Sequence, residues 1–160
     1  DVLKVIRALV ETMLPGLTRA WFKGDLTAFR AGLMHCLRLT LAVMVAAGLA
    51  LLLIGRPLAQ LIFDGNIRIA WIELIAISAL LLGLGFICIS VYLQNGLGRF
   101  GALVGPSFLF LMGSLLSVPL ALLLPGPLSV AFILLYAIVF IVMAFVHIGM
   151  LARLGRERTA

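Results

Sequence analysis

The chain has 160 residues, of which 64% are hydrophobic and 11% charged, whereas an ordinary soluble domain carries about 25% charge. A water-soluble domain of this length leaves too much of its surface exposed to hide that many apolar side chains, so the bilayer must act as solvent and a soluble enzyme is excluded. The net charge of +6 does not point to nucleic acid, because the basic residues fall mostly in short segments flanking apolar runs, where membrane topology is set.

In the first stretch, residues 1–22, Val2, Leu3, Val5, Ile6, Leu9, Val10, Met13 and Leu14 are apolar, and Lys4, Arg7 and Glu11 are set among them. These recur at spacings of three and four, which places them on one face of a helix. A charge at bilayer depth costs about 2.5–3.5 kcal/mol on insertion scales, so it normally faces a cavity or another charge. The stripe therefore marks either a transmembrane helix facing a water-filled cavity or an amphipathic helix lying on the membrane surface. It does not resemble the charged and apolar regions of a cleavable signal peptide. The start at Asp1 rather than Met suggests a piece of a longer protein.

Gly24-Asp25 is a break, and Asp25 suits the N-cap of a helix beginning near Leu26. That helix opens amphipathic, with Arg30, His35 and Arg38, and then turns wholly apolar. Four apolar runs follow, at residues 37–54, 67–93, 101–124 and 128–151. About 20 apolar residues cross a bilayer as helix, and helix is the conformation that pairs every backbone group within its own segment. Gly55-Arg56-Pro57 is expected to close the first run. Phe63-Asp64-Gly65-Asn66, Gln94 to Arg99, and Pro125-Gly126-Pro127 are turn signals. The fold class expected is an all-α polytopic membrane helix bundle: four clear spans, an N-terminal helix with a charged stripe, and one transmembrane domain over residues 1–160.

Arg19, Lys23, Arg30, Arg38, Arg99, Arg153, Arg156 and Arg158 gather at one set of segment ends, and Arg56 and Arg68 at the other. This asymmetry makes the first side, with the C-terminal tail, cytoplasmic.

Glu73 lies near the start of the second run. It suits either a coupling carboxylate tuned by burial or an interfacial residue near Arg68 and Trp71, and the interfacial role is the plainer. His35 and His147 lack the spaced partners that a zinc site needs, so no metal is expected. Cys36 and Cys88 fall inside helices and suit small apolar fillers. Gly101 and Gly105 form a GxxxG pair, and Gly83 and Gly85 a second small patch, both suited to close helix packing. Pro106 and Pro119 predict kinks in the third run, as hinges or as static bends. No nucleophile–base set, phosphate loop or dinucleotide fingerprint is present, so neither catalysis nor a cofactor is expected.

Two of these segments carry a resemblance. Leu14-Pro15-Gly16-Leu17-Thr18-Arg19, running on to Gly24-Asp25 and Arg30, resembles the loop after the second helix of a six-helix repeat in the multidrug/oligosaccharidyl-lipid/polysaccharide exporter superfamily. Tyr92-Leu-Gln-Asn-Gly96-Leu-Gly98-Arg99, followed by Pro106, resembles the turn between that repeat's fourth and fifth helices. The flavour is closer to polysaccharide (lipid-linked oligosaccharide) flippases than to multidrug extruders.

The resemblance implies helices two to six of one repeat, at the C-terminal end of a two-repeat transporter in a bacterial inner membrane. It implies Lys4, Arg7 and Glu11 as cavity residues for a lipid-linked sugar diphosphate, and membrane lipids and the remaining helices as partners. A cation-coupled multidrug extruder of the same superfamily is one alternative. A non-transporting membrane subunit that packs through its glycine-rich faces is another.

Overall fold

The computed structural model describes residues 2–62 and 69–154, which form five α-helices: α1 (Val2–Lys23), α2 (Leu26–Ile62), α3 (Trp71–Gly96), α4 (Gly101–Leu123) and α5 (Leu128–Leu154). Among the described residues, α2 to α5 are each long and apolar enough to cross a membrane. Side chains such as Leu53, Leu61 and Leu123 are more than three-quarters exposed, a surface that hydrocarbon solvates and water does not. This is an all-α membrane helix bundle.

Local chemistry places the boundaries. The C-terminus of α1 is closed by Gly24 at φ 76°, with Gly24 N–H donating to Trp21 O at 3.1 Å and Asp25 N–H to Ala20 O at 3.0 Å. That double bond pattern around a left-handed glycine satisfies two otherwise unpaired carbonyls. Asp25 then turns to the next helix: its Oδ1 accepts from Ala28 N–H at 2.9 Å, the N-cap foreseen from sequence. The α3–α4 turn repeats the device. Gly98, at φ 70°, donates to Asn95 O at 3.0 Å, and Arg99 N–H donates to Gln94 O at 2.9 Å.

One expected boundary is corrected. Gly55-Arg56-Pro57 does not close the first apolar run, and α2 continues through Pro57 to Ile62. Proline removes one backbone donor, but in lipid the residues beyond it still satisfy their peptides best by staying helical. Gly55 serves packing instead, since a Cβ there would meet Leu74 at 2.9 Å. Arg56 lies over the Trp71 ring at 5.1 Å, tying the end of α2 to the start of α3. The turn expected at 63–66, Arg68, and the tail with Arg156 and Arg158 lie outside the described residues.

α3 is the central helix. It runs antiparallel to α2, with Gly85 against Met44, Gly48 against Ser78 and Gly55 against Leu74. It runs parallel to α5, where a Cβ on Gly83 would come within 2.7 Å of the Phe140 carbonyl oxygen. Phe110 stacks edge-on against Phe140 with ring centroids 5.0 Å apart, which holds α4 to α5. α4 scarcely touches α3, and Ser117 and Ala121 are its buried residues.

The GxxxG expectation is also corrected: a Cβ on Gly101 or Gly105 would meet open space, whereas Gly83 and Gly113 carry the close approaches to α5. The reason is geometric. Both positions point away from the neighbouring helices, so no atom comes within 4 Å of an added Cβ.

Candidate functional site

α1 has two faces. Ile6, Val10, Leu17 and Trp21 recur on one side and are buried. They join Phe29, Leu33, Met44, Leu93 and Leu151 in the bundle's main apolar core. The opposite side carries Lys4, Arg7 and Glu11, all exposed. Arg7 Nε donates to Glu11 Oε1 at 2.7 Å, one helical turn apart. The structure thus brings two of the three expected cavity residues into direct contact and sets Lys4 on the turn before them.

The depth of this stripe follows from the packing register. Trp21 and Phe29 have ring centroids 5.1 Å apart, and a Cβ on Gly32 would meet Leu17 at 2.9 Å. α1 therefore runs back along α2, turn for turn. The same register brings Val10 and Ile6 level with Thr40 and Met44, which are buried as they are. Met44 touches the Gly85 position in the middle of α3. Leu14 lies against Gly96 at the end of α3. Counting back from Leu14 at the end of α3, Arg7 stands about two turns and Lys4 about three turns inward from that end, alongside a membrane-spanning helix and not beyond it.

Pro15 lies between the stripe and the turn without ending α1. Its missing N–H leaves the carbonyl of Glu11 without the usual backbone donor. Thr18, close by, gives its hydroxyl to Leu14 O at 2.9 Å.

The other expected residues fall elsewhere. Glu73 sits in the first turn of α3, where its Oε2 accepts from Ala70 N–H at 2.8 Å. A carboxylate there satisfies an orphan donor and meets the positive end of the helix dipole. Gly24 and Asp25 form the α1–α2 turn, and Gly96, Gly98 and Arg99 the α3–α4 turn. Gly96 also gives Leu14 room to pack. Pro106 and Pro119 both lie within α4, which continues through each of them.

Two polar features escaped the sequence reading. Ser90 Oγ and His147 Nδ1 are 2.8 Å apart and buried between α3 and α5. Gln94, 2% exposed, has no partner for its Oε1. The first depends on residues on different helices, and for both the only sequence signal is a polar side chain inside an apolar run. Among the described residues, no three of His, Cys, Asp and Glu gather closely enough to hold a metal. A cavity of about 530 Å³ between α2, α3 and α5 is lined almost wholly by apolar groups such as Met44, Leu82 and Phe145.

No family model, curated protein or solved structure matches this chain.

Proposed function

We propose that this bundle forms one wall of a transport cavity that moves a phosphate-bearing amphiphile, of the lipid-linked oligosaccharide type, across the membrane by alternating access. The observation that carries the reading is the Lys4–Arg7–Glu11 stripe, which lies alongside the last three turns of α3 and is turned away from the bundle's own core. Charges at that depth require water or opposite charge beside them. The α1 core face already packs on α2 and α3, so what faces the stripe is a cavity or further helices, in this chain or another. An arginine in such a cavity suits a diphosphate, because its planar fork meets phosphate oxygens with two parallel hydrogen bonds. Alternating access would come from rocking this helical unit against a second one around the charged site.

The expected polarity follows from the same bundle. Arg19, Lys23, Arg30, Arg38, Arg99 and Arg153 lie toward the end that holds the α1–α2 and α3–α4 turns, and Arg56 toward the other. The first end is then cytoplasmic. The resemblance of the Leu14–Arg19 and Gly96–Arg99 segments to exporter turns agrees with this reading. Few acids line α1 to α5, which disfavours the cation-coupled drug extruder.

The test is charge reversal at Arg7 in the intact transport system. Arg7→Glu is expected to abolish export of the surface glycan while the protein stays in the membrane at its normal level. The double swap Arg7→Glu with Glu11→Arg restores the ion pair but moves the cation, and is expected to recover little export. Full export by Arg7→Glu sinks the cavity assignment. Full recovery by the swap makes the pair structural, and a changed drug-sensitivity profile with normal glycan export favours the extruder.

A further inference from the structure

The α3–α4 side of the bundle, far from the α1 stripe, holds a second polar feature. Because α4 leans on α5 and scarcely touches α3, a groove opens between α3 and α4 with α5 as its floor. At the end holding the α3–α4 turn it widens to a cleft of about 350 Å³ lined by Gln94, Arg99, Gly105, Pro106 and Arg153, among others. Two cations, Arg99 from the α3–α4 turn and Arg153 from the last turn of α5, therefore converge on one opening, and no carboxylate is among the described residues that line it. Gln94 is 2% exposed, and its Oε1 is buried without a donor, an arrangement costly enough in an apolar interior to need an explanation.

Deeper in the bundle lies a cavity of about 220 Å³, walled mostly by apolar groups such as Leu84, Ile87, Phe110 and Phe140, with Ser107 and His147 also on its lining. Pro106 lines both parts. The shape suits an amphiphile: a basic, hydrogen-bonding mouth at the helix ends, adjoined through Pro106 by a mostly apolar cavity between membrane-spanning helices.

We infer that this groove binds an anionic phospholipid from the surrounding bilayer. The phosphate sits between Arg99 and Arg153, a headgroup hydroxyl donates to Gln94 Oε1, and one acyl chain lies along α3 and α4 as far as Phe110. Arginine forks grip phosphate oxygens with directional bonds, and basic pockets between helices at a membrane face are where such headgroups settle. Arg99 has an interaction of its own in the structure. A guanidinium carries five N–H donors, so the site asks for its charge and for donors beyond that contact. Gly105 keeps the mouth open, since a Cβ there would meet no neighbour and a larger side chain would project into the space.

The inference is independent of the transport reading, because it concerns another face and needs no translocation. It is tested with the full chain in phosphatidylcholine vesicles carrying Leu109→Trp, a groove residue that is 56% exposed. Quenching of that tryptophan by chain-brominated phosphatidylglycerol is compared with quenching by chain-brominated phosphatidylcholine. The native Trp21 and Trp71 lie outside the groove and supply a common background.

Each arginine near a headgroup is worth about fivefold in affinity for an anionic lipid, so the pair predicts a preference of roughly thirtyfold. Arg99→Gln with Arg153→Gln is expected to bring it to about unity, and Arg99→Lys with Arg153→Lys to keep most of it. Equal quenching by the two lipids in the Leu109→Trp chain overturns the inference without any arginine variant. So does a preference that survives the double glutamine change. Loss of the preference when inorganic phosphate replaces chloride at equal ionic strength marks a free-phosphate site and overturns the lipid assignment.

Discussion

Gly98 shows how one residue sets a helix end. Its φ of 70° lies in the left-handed region, where an added Cβ crowds the following carbonyl oxygen. Around Gly98 there is open space, so any cost of substitution comes from the backbone and not from neighbours. Gly98→Ala is expected to destabilise the bundle by about 1 kcal/mol, and Gly98→Asn by less, because asparagine tolerates that region. Thermal unfolding of the detergent-solubilised protein measures both, and a Gly98→Ala chain as stable as the parent would remove the conformational argument. Features of this kind were legible from sequence: the Asp25 cap and the Gly24 and Gly98 turns rest on residues within a few positions of one another. The Ser90–His147 contact was not, since its partners are 57 positions apart and nothing in either local pattern names the other. Glu73 stood between two roles on sequence alone, and its bond to Ala70 N–H supplies the physical reason for an acid at that helix start.

At the scale of the helix, small residues matter only where a second backbone arrives. Sequence spacing presented Gly101 and Gly105 as a packing pair just as plainly as Gly83 and Gly85. The structure separates them, because α3 presses on α5 at Gly83 while a Cβ on Gly101 or Gly105 would meet open space. Gly83→Ala is therefore expected to cost about 1–3 kcal/mol, since the Phe140 carbonyl is backbone and cannot swing aside. Gly101→Ala should stay within about 0.5 kcal/mol of the parent, as a surface change touching nothing. Comparing the two variants in one denaturation series tests the assignment, and equal losses would contradict it. The extent of α2 teaches a related lesson. Hydropathy located the run at 37–54 and the Asp25 cap the start near Leu26, but the continuation to Ile62 was not legible. Arg30, Arg38 and Pro57 interrupt the apolar pattern without interrupting the backbone hydrogen bonding that lipid enforces.

For the whole molecule, helix order turns a list of charges into a polarity. α2 runs antiparallel to α1 and α3, and α5 runs parallel to α3 and antiparallel to α4, as the Trp21–Phe29, Met44–Gly85, Phe140–Gly83 and Phe110–Phe140 contacts require. The α1–α2 turn, the α3–α4 turn and the end of α5 therefore share one face of the bundle. The α4–α5 connection at Pro125-Gly126-Pro127 lies at the other. Basic residues concentrate at the first face, and positive charge in short loops and at helix ends is retained on the cytoplasmic side. A reporter active only outside the cytoplasm should therefore work when inserted at Gly126 and fail when inserted at Gly24 or after Leu154. Replacing Arg99 and Arg153 by glutamine removes two charges from that side but leaves Arg19, Lys23, Arg30 and Arg38, so the orientation should hold even as the lipid groove loses its cations. If the double change inverted the reporter pattern, the two arginines would be topology anchors first. The loss of lipid preference in that variant would then need to be reread as a consequence of misorientation, which is why the Leu109→Trp comparison is made in the parent chain, where both arginines are present and the orientation is unchanged.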